Sequence, residues 1–331
     1  MSAPLGVLLA GFAGLGPAQD HQAEMYLPAF ADHPGFTIVA VTDADGTTDA
    51  LRERSRSAAV RLGVPYDDEL SKALARPEVD VVSVCVPLTD RMATTTAALA
   101  TGRHVLVDKP MTLSAQECDA IAAVAADTGS VCLPAHHWRF HPAIRSAAAA
   151  VAAGRVGLPW NVQADFLVAG GPPSPLGELA NFAVYPLDVI RVLTGLPVTQ
   201  VFTYGEVDDV AVLSLSHERG MTSTVTVGRG PALDGGPGVA LHRYRISGSH
   251  GLLAVDTARP AYTLRTATGR RNGWVGSDTV TALVDELHSA IRSGRQGTVA
   301  PTDARAAAAV VEAARLSAEF GRPVSLKEAD G

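Results

Sequence analysis

Through its first 130 residues the chain alternates short apolar runs with Ala-rich stretches of helical spacing. The runs at 6–10, 37–42, 79–86, 104–107 and 130–134 predict β-strands, and the stretches at 22–31, 48–62, 68–75, 92–101 and 114–128 predict helices. Strand and helix in regular alternation predict a doubly wound parallel sheet of Rossmann type, with helices on both faces. Ser114 stands three residues before Glu117, a capping-box spacing that marks the start of the last of these helices.

Beyond about residue 150 the pattern changes. Runs at 162–169, 199–207, 210–217, 221–228, 241–247, 251–255 and 261–266 read as successive strands with few helices between them, separated by turn signals such as Gly248-Ser249-His250-Gly251. That order predicts a mostly antiparallel sheet. Helices at 279–293 and 302–321 close the chain. The expected organisation is an α/β domain over residues 1–130 and an α+β domain over 131–331, with the last helix free to pack back on the first domain. There is no internal repeat.

Composition narrows the function classes. A chain of 331 residues, 47% apolar and 5% aromatic, fits an Ala/Val/Leu-rich α/β protein. Its net charge of −7 is spread without blocks, which argues against nucleic acid or an anionic membrane surface as a partner. The apolar run at 4–11 has no basic flank and leads straight into a Gly-rich turn, so it reads as a strand and not as a secretory leader. Cys85, Cys118 and Cys132 lack a CxxC spacing and read as buried reduced thiols, from which a cytoplasmic location is expected.

Three places carry candidate chemistry. Gly11-Phe12-Ala13-Gly14-Leu15-Gly16 follows the first strand and matches the dinucleotide fingerprint at its outer glycines, with Ala13 in the middle position. Such a loop offers backbone N–H groups and a helix N-terminus to a diphosphate. Asp43 ends the second strand, where a carboxylate accepts hydrogen bonds from an adenosine ribose and repels a 2′-phosphate; NAD(H) is therefore favoured over NADP(H). The same Asp, in Thr-Asp-Ala-Asp-Gly, also suits a turn. Lys109 is one of only three lysines in the chain and follows the strand His104-Val105-Leu106-Val107. Strand C-termini in open α/β sheets face the ligand crevice, where a Lys can hold or move a proton.

With these pieces in place the chain resembles the Gfo/Idh/MocA family of oxidoreductases nearly end to end. Residues 81–87 resemble the family strand whose terminal Pro lies against the nicotinamide ribose, which assigns Val86 and Pro87 to the cofactor. Gly102–Pro110 is similar to its GKHVLxEKP motif, with Asp108 in place of Glu and Lys109 as the catalytic lysine. His136-His137-Trp138-Arg139-Phe140-His141-Pro142 resembles HNxRFxP at the domain junction. The family's DxGxHxxD helix corresponds to Asn181–Asp188, with Asn181 at the Asp position, Tyr185 at the His position and Asp188 retained.

The resemblance implies an NAD(P)-dependent oxidoreductase acting on a carbinol or ketone of a sugar-like small molecule, assembled as a homodimer or homotetramer. Lys109 and Tyr185 are then a cooperating acid/base pair, since a phenol beside an ammonium is a competent proton donor; a purely packing role for Tyr185 stays open. Arg91, where many relatives have His, joins His136, His137 and Arg139 as a positive lining that would suit an anionic or nucleotide-linked substrate. Asn181, Tyr185 and Asp188 complete the substrate set. His137 and His141 have HxxxH spacing but no acidic partner, so no metal is expected. Imine reduction, redox-assisted elimination and a non-enzymatic dinucleotide sensor are the rival readings.

Overall fold

The computed structural model describes residues 3–13, 20–205, 207–232, 238–257, 262–266, 269–273 and 278–329. These form two compact units: Met1–His136 with Val280–Arg305, and His137–Thr279 with Ala306–Gly331.

Unit 1 runs β1 (Leu5–Ala10), a π-helical turn at Gln22–Tyr26 continuing into α1 (Leu27–Asp32), β2 (Phe36–Thr42), α2 (Asp49–Leu62), β3 (Tyr66–Asp67), α3 (Leu70–Leu74), β4 (Val81–Val84), α4 (Leu88–Ala100), β5 (His104–Val107), α5 (Ala115–Thr128) and β6 (Cys132–Pro134). The strands form one six-stranded sheet in the order β3-β2-β1-β4-β5-β6, and every pair is parallel. β1 is central and buried at every position, because helices cover both faces of such a sheet. Ser114 caps α5 by accepting from the Glu117 N–H, as its spacing predicts. β6 pairs with β5, so the unit extends to His136 and not to residue 130. α4 begins at Leu88, earlier than its apolar spacing suggests, because extended Pro87 starts the helix directly and Asp90 sits in its first turn.

The segment Val280–Arg305 returns to unit 1, carrying most of α9 (Thr279–Ser293) and the first turn of α10 (Pro301–Phe320). His288 of α9 packs edge-on against Phe36, and Asp285 approaches His33 Nε2 at 3.3 Å.

Unit 2 contains a short 3₁₀ turn at His137–Phe140, α6 (Pro142–Ala152), β7 (Pro159–Ala169), α7 (Glu178–Phe182), α8 (Val184–Thr194), β8 (Val198–Gly205), β9 (Val210–His217), β10 (Thr222–Gly230), β11 (Gly238–Gly248), β12 (Leu252–Asp256) and the hairpin β13 (Tyr262–Thr266) with β14 (Gly269–Gly273). It ends in the remainder of α10, β15 (Val324–Ser325) and α11 (Leu326–Ala329). The sheet is seven-stranded, β12-β11-β7-β10-β9-β8-β15, and antiparallel except at β7–β10. Alternate residues of β9 (Ala211, Leu213, Leu215) and β10 (Val225, Val227) point into a core shared with Ile190 and Leu193 of α8 and Ala313 and Ala314 of α10. The sequence pattern did not mark α6. His141 starts it by accepting from the Ala143 N–H at 3.2 Å, and Pro142 occupies the first helical turn.

One close approach fixes the middle of the first sheet. A Cβ at Gly6 would lie 1.8 Å from the Glu78 carbonyl oxygen, while Gly6 N–H donates to Asp80 Oδ2 at 2.8 Å. Gly6→Ala is expected to force β1 away from the segment entering β4 and to destabilise the fold by about 1–3 kcal/mol, the usual cost of overpacking. Urea unfolding measures it, and an unchanged midpoint would show that the strand shifts at no cost.

Candidate active site

The order of the first sheet reverses between β1 and β4, and ligands of open α/β sheets bind beyond the strand C-termini at such a point. Gly11 leaves β1 with φ +83°, its N–H bonded to Thr42 O at 2.8 Å. A Cβ there would meet the Cys85 carbonyl oxygen at 2.8 Å, so the turn requires glycine on both counts. Ala13 N–H then bonds Cys85 O at 3.1 Å, tying the loop to the end of β4, and Phe12 and Ala13 are buried. Gly14, Leu15 and Gly16 lie outside the described residues. Val86 is buried and its carbonyl accepts from Arg91; Pro87 follows it at the head of α4.

Asp43 stands at the end of β2 and is 1% exposed. Ser55 Oγ donates to its Oδ1 at 2.8 Å and Tyr66 OH to its Oδ2 at 3.0 Å. Burial raises its pKa above the ordinary 3.8, against the opposing pull of these two hydroxyls and of the Arg52 and Arg56 charges. Arg52 is anchored on the carbonyls of Ala44, Asp45, Thr47 and Asp68 and so braces the loop after β2.

Asp108 is the centre of the site. It is fully buried just past β5 and gathers donors from three directions: Tyr26 OH at 2.5 Å, His21 Nδ1 at 3.1 Å and Arg91 Nη2 at 3.2 Å. Burial disfavours its charge, yet His21, Arg91 and the neighbouring Lys109 together hold its pKa well below the carboxylate range. Lys109 is 3% exposed, and the bond from it to Pro110 is cis. The expectation that Arg91 lines a pocket with positive charge is corrected here. Its side chain has no exposed surface, and its two terminal nitrogens bind the Asp108 carboxylate and the carbonyls of Val86, Asp108 and Pro110, because a buried cation needs partners within the protein; its Nε has no hydrogen-bond partner. Sequence reasoning missed His21 and Tyr26. The one available signal was the spacing of Gln22 and Tyr26, both buried, which marks an inward helical face but names no chemistry.

In unit 1 His136 is buried. In unit 2 Tyr185 is 7% exposed, its ring packed against Phe166 at 5.1 Å and His137 at 5.4 Å between centroids. His137 Nδ1 meets Thr279 Oγ1 at 2.7 Å. Arg139 forms a two-point ion pair with Asp188, Nε to Oδ2 at 2.9 Å, so these two expected substrate ligands are bound to each other. Asn181 is buried and donates to Glu178 Oε2 at 3.3 Å; Glu178 in turn pairs with Arg229 at 2.6 Å. A further buried histidine, His242, bonds Tyr244 OH at 2.7 Å and packs edge-on against Trp138 and Phe166; burial, aided by His137 and His141, pushes its pKa down to about 3. Among the described residues no group of three or more His, Cys, Asp or Glu side chains is placed to hold a metal ion. No described helix is long and apolar enough to cross a membrane.

Comparison with known proteins agrees with this architecture. A family model described as an oxidoreductase family with an NAD-binding Rossmann fold matches residues 8–136, and one for the GFO/IDH/MocA C-terminal domain matches 144–254. The chain therefore belongs to the Gfo/Idh/MocA family of oxidoreductases. It is similar to scyllo-inositol 2-dehydrogenase (NAD(+)) of Bacillus subtilis (strain 168), 27% identical over 53% of this chain and 51% of that one. It is also similar to dTDP-3,4-didehydro-2,6-dideoxy-alpha-D-glucose 3-reductase of Streptomyces violaceoruber, 27% identical over 86% of each. Its fold matches the crystal structure of scyllo-inositol dehydrogenase from Lactobacillus casei with bound NAD(H) and scyllo-inositol, at TM-score 0.79 and 17% identity, over 98% of this chain and 99% of that one.

The buried ion pair makes a stability prediction. Because the folded pKa of Asp108 lies below its ordinary 3.8, its contribution is fully present above that value and is lost as pH falls through and below it. Asp108→Asn leaves Arg91 buried beside a neutral partner and is expected to cost about 3–5 kcal/mol at neutral pH. The variant should also lose part of the wild-type decline in stability below pH about 4. Denaturant midpoints between acid and neutral pH measure both effects.

Proposed function

We propose that the chain exchanges hydride between a nicotinamide dinucleotide, NAD(H) in preference to NADP(H), and a carbinol or ketone carbon of a sugar-like or cyclitol substrate. The observation that carries this reading is Lys109, nearly buried beside a fixed carboxylate at the C-terminal end of β5. The residues present fit the dinucleotide. Gly11 gives the tight turn beyond β1, Val86 and Pro87 stand beyond β4, and Asp43 places negative charge at the end of β2, where a carboxylate keeps acceptor capacity beyond the two hydroxyls it already binds. When bound, the nicotinamide supplies the hydride acceptor or donor.

Lys109 takes the proton from the carbinol hydroxyl in oxidation and returns it in reduction. Asp108 favours its ammonium form, and Arg91 and Tyr26 fix that carboxylate. Tyr185 is assigned the second acid/base role. The similarity to a scyllo-inositol dehydrogenase and a dTDP-sugar reductase supports an oxygenated six-membered ring, a cyclitol or a hexose derivative, as the substrate class. Arg91 and Arg139 each face a buried carboxylate of their own unit, so an anionic or nucleotide-linked form of the substrate is supported by the similarity to the dTDP-sugar reductase and not by these two cations. A homodimer or homotetramer in the cytoplasm belongs to the same reading.

Oxidation of scyllo-inositol and a panel of aldoses, followed by NADH absorbance, tests the reaction. Lys109→Ala should lower turnover by roughly two to four orders of magnitude with little change in NADH affinity. Tyr185→Phe should lower it less, since Lys109 or a water still delivers a proton, and should cost only about 1 kcal/mol of stability. Wild-type turnover in Lys109→Ala would remove the mechanism; an unaltered rate across pH in Tyr185→Phe would leave Lys109 as the acid/base group on its own.

Cofactor fluorescence titrations should show tighter binding of NAD(H) than of NADP(H), and Asp43→Ser should narrow the difference. Equal or tighter NADP(H) binding by the unaltered chain would remove the assignment of Asp43.

A further inference from the structure

We infer that Ser55 and Tyr66 are positioning residues for cofactor choice: their hydroxyls hold the Asp43 carboxylate in its charged form and so extend the preference for NAD(H) to lower pH. This rests on the reading of Asp43 as the group that favours NAD(H) over NADP(H).

Ser55 lies on the inward face of α2 with Ala58 and Ala59 and has no exposed surface. Its hydroxyl has two acceptors in reach, Asp43 Oδ1 at 2.8 Å and Leu51 O at 3.3 Å. A helical serine can turn its hydroxyl back to the carbonyl four residues earlier, but the shorter bond here runs to the carboxylate. Tyr66 stands on the edge strand β3, paired with Val41 of β2, and its OH donates to Asp43 Oδ2 at 3.0 Å. Each oxygen of the carboxylate therefore has one hydroxyl donor, and the two donors come from different elements.

The other charged groups acting on Asp43 are Arg52 and Arg56, both of α2. Arg52 is anchored on four backbone carbonyls, and the Arg56 guanidinium lies 5.3 Å from the centre of the Tyr66 ring. Burial, aided by the Asp43 charge, raises the Tyr66 phenol above its ordinary 10, so Tyr66 stays a neutral donor. Asp43 is thus the group in this cluster whose charge can change near neutral pH.

The sign follows from which form each partner favours. Burial pushes the Asp43 carboxyl upward, and the two hydroxyls oppose that rise because they bond the anion. With one hydroxyl removed, the carboxyl takes its proton at higher pH. A protonated Asp43 carries no charge and offers an O–H, so it no longer repels a 2′-phosphate and has less acceptor capacity for a ribose hydroxyl. Both changes favour NADP(H) relative to NAD(H).

Ser55→Ala and Tyr66→Phe each delete one donor, from different elements, so the test survives the failure of either variant to fold. Carbon-13 NMR of labelled aspartate follows the Asp43 carboxyl, whose signal is the one that Asp43→Asn removes. Each variant is expected to raise its midpoint by about one pH unit, the worth of one hydrogen bond to a charged group. Fluorescence titrations then give the ratio of NADPH to NADH dissociation constants for every chain. The ratio is taken from about pH 5 to about pH 8 and divided by that of Asp43→Asn at the same pH, because the 2′-phosphate itself titrates near pH about 6. The corrected ratio should lose its excess over one at a pH about one unit higher in each variant than in the unaltered chain.

A midpoint that stays in place in both variants overturns the inference, as does a midpoint that moves while the corrected ratio keeps its wild-type course. In either case, a ratio narrowed by Asp43→Asn leaves Asp43 as the discriminating group, and only the role of the two hydroxyls falls. If Asp43→Asn leaves the ratio unaltered, the reading of Asp43 itself falls and the inference falls with it.

Discussion

Asp108 and Arg91 face each other with no exposed surface on either side chain, and much of the first unit is arranged to make that possible. Two charges removed from water are costly unless each remaining donor and acceptor finds a partner. Arg91 therefore binds the carbonyls of Val86, Asp108 and Pro110, which holds the ends of β4 and β5 at fixed spacing from α4. Asp108 draws Tyr26 and His21 from the segment that leads into α1. Loops following three strands of one sheet are locked together by a single ion pair, and Lys109 sits next to it.

The unit holds a second buried carboxylate in a contrasting state. Asp43 accepts from two neutral hydroxyls, with Arg52 and Arg56 acting only through charge, and burial wins: its pKa rises. Asp108 is hydrogen-bonded to a guanidinium and an imidazole with a lysine alongside, and the cations win: its pKa falls. The difference lies in the number and placement of positive partners and not in depth. It suits their proposed tasks, a ribose acceptor at the end of β2 and a permanent anion beside a proton-carrying lysine.

In the second unit polar groups are fixed by the same rule. Arg139 and Asp188 satisfy each other, as do Glu178 and Arg229, while His242 is held neutral between Trp138 and Phe166 with its Nε2 on Tyr244. Tyr185 packs against Phe166 and His137 in this aromatic layer, and these rings set the orientation of its own.

The sequence by itself determined the strand and helix grammar of both units, the Gly11 turn, and the placement of Asp43 and Lys109 at strand ends, since all of these follow from local periodicity and backbone sterics. β5 and β9 lie at their expected residues, and the Ser114 cap forms as its spacing implies. α6 escaped notice because an Ala-rich run has little apolar contrast, whereas β6 pairs in the first sheet as the alternation through residue 134 predicts. What only the tertiary structure decided is which charges meet. His21 and Asp108 are 87 residues apart, Arg139 and Asp188 are 49, and no local pattern records either pairing. Whether an arginine is a ligand for substrate or a partner for a buried carboxylate depends on what folding brings beside it, and in this chain both Arg91 and Arg139 found an aspartate first.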